Sequence, residues 1–130
     1  MKLALLVPIF MLPLVASAAE PDASLKIFLA RFADMAAHGE ADSMAKLTRF
    51  PLRNRVYQAP DRIGAAGFRR YFTRNGFREL APCLKARPPQ RAKGRSADPG
   101  EWEVDCDGNV FSFVREGEGW RFSGFENVNE

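Results

Sequence analysis

Glu101 to Phe125 reads EWEVDC-DG-NVFSFVRE-GE-GWRFSGF. In Glu101–Cys106 the acids Glu101, Glu103 and Asp105 alternate with Trp102, Val104 and Cys106, the period of a strand with one wet and one buried face. Asp107-Gly108 is a type I′ hairpin signal. A two-residue loop there sets Cys106 opposite Asn109, Val104 opposite Phe111 and Trp102 opposite Phe113, so the apolar residues of both strands share a face. Gly117-Glu118 makes a second tight turn, which sets Phe113 opposite Phe122 and Arg115 opposite Trp120. Trp102, Val104, Phe111, Phe113, Trp120 and Phe122 then form one surface for helices to cover. The three acids are expected to face water. The reverse face also carries Val110, Val114 and Phe125 beside Ser112 and Arg121. That half-apolar face could be a homodimer interface, could be covered by the loop, or could carry only the scattered exposed apolar residues that are normal on a protein surface.

Upstream lie the helices. Leu25, Phe28, Leu29, Phe32, Met35 and Ala36 follow helical spacing over Ser24–His38, with Ser24 a candidate N-cap and Gly39 at the left-handed stop. A short helix is expected from Ala41 to Thr48, ended by Phe50-Pro51. A strand follows over Arg53–Gln58, then a turn at Pro60-Asp61. Phe68, Tyr71 and Phe72 share a face of a third helix over Ala65–Asn75, stopped by Asn75-Gly76, with Phe77 folding back on its last turn. Glu79–Arg87 reads as a strand, and Arg87–Gly100, with Pro88-Pro89, as a basic loop.

The chain has 130 residues, 46% of them hydrophobic and 27% charged, with eleven Phe. Such a composition suits one globular domain and excludes disordered or collagen-like classes. Residues 1–18 read as a signal peptide: Met1-Lys2, the apolar run Leu3–Val15, and the cleavage pattern Ala16-Ser17-Ala18. The run is too short for a stable membrane anchor. Residues 19–130 are then a single α+β domain, expected to be periplasmic or secreted. Export favours a disulfide between Cys83 and Cys106, two unpaired buried thiols being the alternative. One His and no C-x-x-C pair argue against a metal site.

Charge is segregated. From Arg49 to Arg95 thirteen Lys and Arg face only Asp61 and Glu79, whereas from Ser96 onward nine acids face Arg115 and Arg121. This asymmetry marks either a face for an anionic partner or basic and acidic strands that neutralise each other. Nucleic acid is not an expected partner of an exported chain.

Phe28-Leu29-Ala30-Arg31-Phe32, Ala45–Leu52 with its K-x-x-x-F-P element (Lys46, Phe50, Pro51), Gly67–Phe72 and Cys106–Phe125 together resemble the nuclear transport factor 2-like superfamily, in particular its small secreted bacterial members. The resemblance implies a cone-shaped (cystatin-like) α+β fold, with N-terminal helices packed on a curved, mostly antiparallel sheet that leaves a pocket. Some relatives are isomerases, dehydratases or polyketide cyclases, and others only bind or dimerise. Relatives that transfer protons place an Asp or His in the pocket, often with a Tyr. Here the strand acids have outward parity, His38 complements the end of a helix, and Asp34, Asp42 and Asp61 read as surface or turn residues.

No nucleophile, P-loop or zinc-protease motif is present, and no cofactor is expected. Tyr57 and Tyr71 are the candidate polar markers of a pocket, with Trp102 and Trp120 as aromatic walls. All four could instead simply fill the core. Arg69, Arg70 and Arg74, with Arg78, could grip an anion, or form a solvated helix face. The expected function is an exported, non-catalytic binding module for a small apolar ligand or a protein partner in the cell envelope. A small isomerase or polyketide cyclase-like enzyme using Tyr57 or Tyr71 with a buried carboxylate is one alternative. An envelope inhibitor or immunity-type protein is another.

Overall fold

The hairpin register is where local sequence and tertiary structure agree most closely. In the computed structural model, which describes residues 23–56, 60–93 and 100–128, Asp107 (φ 54) and Gly108 (φ 94) make the type I′ turn. Cys106 pairs with Asn109, Val104 with Phe111 and Trp102 with Phe113. Phe113 pairs with Phe122 and Arg115 with Trp120. All six residues expected on the helix side are buried. The segment read as a signal peptide, the cleavage point expected after it and Tyr57 lie outside the described residues.

The helices are α1 (Ala23–Ala37), α2 (Ala41–Lys46), α3 (Phe68–Arg74, entered through a 3-10 turn at Ala65–Gly67) and α4 (Phe77–Ala86). The strands are β1 (Thr48–Arg55), β2 (Arg62–Ile63), β3 (Gln90–Arg91), β4 (Trp102–Cys106), β5 (Asn109–Glu116) and β6 (Gly119–Asn127). Among the described residues they form one six-stranded sheet in the order β2-β1-β6-β5-β4-β3. Only the β1–β6 pairing is parallel. The architecture is α+β, with N-terminal helices on one face of a curved, mostly antiparallel sheet.

Several sequence expectations are corrected. Glu79–Arg87 is not a strand but most of α4. Phe77, Ala81 and Leu84 are buried at helical spacing and Leu80 is half-buried. Pro82 stands inside this helix and removes one hydrogen bond, at a cost of about 3 kcal/mol. Burial of Phe77 and Leu84, worth roughly 1.5–3 kcal/mol each, offsets that cost. Ser24 does not cap α1; it lies within the helix, and its Oγ accepts a hydrogen bond from Trp120 Nε1 at 2.9 Å. Phe50-Pro51 does not precede the first strand but lies inside it, through a cis peptide. Pairing of β1 with β6 is irregular between Thr48 and Arg53, where Pro51 has no N–H to give.

Phe125 is also misplaced by simple alternation. Ser112 pairs with Gly124 but Phe113 with Phe122, so Ser123 is an extra residue in β6. Such a bulge reverses side-chain parity beyond it and bends the strand. Phe125 therefore turns to the helix side, where it packs against Phe77 and Phe111 with ring centroids 4.9 and 5.0 Å apart. Finally, Glu101 does not face water. It sits on the sheet face away from the helices, as its parity requires, yet its side chain is fully buried.

The partner that meets Glu101 there comes from 48 positions earlier in the chain. Arg53 in β1 extends over Gly124 and brings Nη2 to 2.6 Å from Glu101 Oε1. The same oxygen accepts from Ser123 Oγ at 2.9 Å. Arg87 also meets Asp107, Nη2 to Oδ1, at 2.8 Å. Thus the basic and acidic halves of the chain are partly joined by neutralising contacts. On that same face, burial first, then Asp105, Glu126 and Glu101, holds the Glu103 carboxyl above its ordinary range.

Cys83 of α4 and Cys106 of β4 form a disulfide with Cα atoms 5.8 Å apart. It ties the helix layer to the sheet across a separation of 23 residues, a loop length worth about 3 kcal/mol in the chain-entropy account. The paired change Cys83→Ala with Cys106→Ala should lower the unfolding free energy by roughly that amount, measured by urea denaturation against the oxidised parent. An unchanged midpoint would show that the helix layer is held without the crosslink.

Candidate functional site

The helix side of the sheet is filled by aromatic rings, so the candidate site lies at its edge. Asn54 of β1 is buried on that side with 1% of its surface exposed, and it organises the edge. Its backbone N–H donates to Asp61 O at 2.8 Å, and its Nδ2 donates to Pro60 O at 2.8 Å. Its Oδ1 accepts from the Tyr71 hydroxyl. One amide thereby joins β1, the chain entering β2, and α3. A buried amide can hold this role because its donor and acceptor ends are both engaged. Burial pushes the Tyr71 phenol above its ordinary range, so the hydroxyl stays protonated and donates.

Beside this joint runs a groove of about 310 Å³ between the end of β1, β2 and α3. Val56, Pro60, Ile63 and Tyr71 supply apolar surface, and Gly64 and Gly67 leave its wall open. Arg62, Arg70 and Arg74 also line it, with Asn75. Arg70 and Arg74 stand one helical turn apart on α3, while Arg62 comes from the edge strand. No carboxylate is among the described residues that line it. None of the three arginines makes an ion pair with any described residue.

A larger cleft of about 670 Å³ lies between the α1–α2 connection and the α3–α4 connection. Its charges are mixed: Glu40, Asp42 and Glu79 face Arg69 and Arg78, and Arg69 is paired with Asp42. Among the described residues that line it, only Ala41 and Phe72 bring apolar side chains. The smaller groove therefore has the stronger case as a ligand site, because it combines apolar surface with uncompensated charge.

The residues singled out from sequence are separated by the fold. Tyr71, Arg70 and Arg74 meet in the groove, while Arg69 faces the other cleft. Trp102 and Trp120 are buried in the core away from both. The Arg91 guanidinium lies 6.0 Å from the Trp102 ring and the Arg115 guanidinium 5.7 Å from the Trp120 ring. His38 is exposed, with Nδ1 2.7 Å from Asp34 O. Asp34 pairs with Lys85 at 3.0 Å.

Sequence reasoning missed Asn54, Arg62 and Ile63. The period-2 placement of Asn54 beside buried Leu52 was the available signal, though it could not reveal the partners. Among the described residues no group of three or more His, Cys, Asp or Glu side chains is arranged to hold a metal ion. No described helix is long and apolar enough to cross a membrane.

No protein-family model matches the chain, and no curated protein matches it significantly. Among solved structures it resembles a nuclear transport factor 2-like protein with a cystatin-like fold from Novosphingobium aromaticivorans. The two are 17% identical, the match covers 80% of this chain and 78% of that one, and the TM-score is 0.44. A likeness at that level carries over no site residue and no activity.

Proposed function

We propose that the chain is an exported, non-catalytic binding module that takes a small ligand into the groove between β2 and α3. The observation that carries this reading is the apolar surface of Val56, Ile63 and Tyr71, open beside a packed interior, with no carboxylate or imidazole among the described residues that line it. Proton-transfer chemistry needs a base in reach of the substrate. The Tyr71 hydroxyl instead meets the Asn54 amide. The buried carboxylate of Glu101 is on the other face of the sheet, engaged with Arg53 and Ser123. The disulfide is compatible with an oxidising compartment, and export itself is checked by the mass of the mature chain isolated from the cell envelope or the medium.

Occupancy of the groove is tested by blocking it. Gly67 lines the groove, and a Cβ added there would meet only Ile63 Cγ2, at 3.8 Å, an ordinary contact. Gly67→Leu should therefore fill the groove without unfolding the domain. The neutral fluorophore 1-aminoanthracene is expected to bind the parent and to bind Gly67→Leu at least about tenfold more weakly. Equal binding by both would remove the assignment, as would a folded parent that binds neither this dye nor 4-phenylbutyrate, phenyl phosphate or 4-phenylbutan-1-ol.

A further inference from the structure

Resting on that assignment, we infer that the ligand is a small amphipathic anion: an apolar body on Val56, Ile63 and Tyr71, and a carboxylate or phosphate head held by Arg70 and Arg74 with Arg62. Three guanidinium groups around one partly apolar groove point to this. Arg53, Arg69 and Arg87 each pair with a carboxylate. The three that line the groove pair with none among the described residues. Like charges one helical turn apart, as at Arg70 and Arg74, destabilise a short helix. A third cation across an apolar groove adds to that repulsion, and an anion bound between them relieves it.

Guanidinium suits the purpose. Its planar fork donates two parallel hydrogen bonds to a carboxylate or phosphate and is weakly hydrated for a cation. A groove of about 310 Å³ is at the small end of ligand sites, so the apolar body is of the size of one aromatic ring with a short chain. A neutral molecule of the same shape would leave the three charges uncompensated.

Calorimetric titration of the mature chain with 4-phenylbutyrate, phenyl phosphate and 4-phenylbutan-1-ol tests the inference. Both anions are expected to bind more tightly than the alcohol, 4-phenylbutyrate by at least about tenfold, with the difference shrinking as salt is raised. Whichever anion binds more tightly names the head group. The double change Arg70→Gln with Arg74→Gln should bring the butyrate and alcohol affinities together. Arg69→Gln, which removes one charge from the same helix outside the groove, should leave them apart.

An affinity of the parent for the alcohol equal to that for both anions overturns the inference while keeping the groove as a binding site. So does an equal loss in Arg69→Gln, because overall charge would then explain the preference. If none of the three compounds nor 1-aminoanthracene binds the folded parent, the assignment of the groove falls with it.

Discussion

Phe77→Ala is expected to lower the unfolding free energy by about 3–5 kcal/mol, the range for truncating a fully buried aromatic residue. Phe77 is the hub of the core. Its ring lies 4.9 Å from Phe125, 5.1 Å from Phe111, 5.6 Å from Tyr71, and 5.8 Å from both Phe72 and Phe122. It therefore touches α3 and two strands from the first position of α4. A smaller side chain would not reach all of these rings, and the edge-to-face pairs with Tyr71, Phe72, Phe122 and Phe125 add to the stabilisation from burial. At roughly 4 °C per kcal/mol for a domain of this size, the melting temperature should fall by about 12–20 °C. Calorimetry of the oxidised protein reads the effect. A loss below about 1 kcal/mol would mean that α4 does not seat Phe77 between helices and sheet, and the fold described above would be wrong at its centre.

The second large effect is expected on the opposite face. Glu101→Ala should cost about 3–5 kcal/mol, since it leaves the Arg53 guanidinium without its carboxylate in a poorly hydrated place. The Arg53 side chain is only 16% exposed, and that of Glu101 is 0% exposed. Removing both charges is a different experiment. Arg53→Met with Glu101→Leu should recover most of the loss, because a buried ion pair replaced as a unit leaves no orphan charge.

Gly124 is part of the same device: a Cβ there would sit 2.9 Å from Arg53 Nη2 and 3.2 Å from its Nε and Cζ. Gly124→Ala should thus displace the guanidinium and lose part of the same stability. Denaturant titration of the three variants decides the matter. A double variant no more stable than Glu101→Ala would show that the cost lies in side-chain volume rather than in the broken pair.

Legibility from sequence follows the range of the forces. The β4–β5–β6 meander was readable because Asp107-Gly108 and the alternation around it act within a few residues. One extra residue at Ser123 was enough to turn Phe125 from outside to inside, and no local pattern announces a bulge there. The helical spacing of Phe77, Ala81 and Leu84 was present but competed with Pro82. Tertiary burial decided that contest. For Glu101 the parity was right and the inference of wetness wrong: an arginine 48 positions earlier covers it, and only the sheet order β1-β6-β5-β4 brings the two within reach.

The same division holds at the candidate site. Tyr71, Arg70 and Arg74 could be named from helical spacing, as could the charge segregation that makes the segment basic. Their partners, Asn54, Arg62 and Ile63, could not, since the groove exists only where an edge strand lies beside α3. Periodicity and turn chemistry thus set the elements and most of their faces, because those are properties of neighbours in the chain. Which charges end up paired and which remain free around an open groove was decided by the tertiary structure, because Coulomb and burial energies depend on distance in space and are blind to distance in sequence.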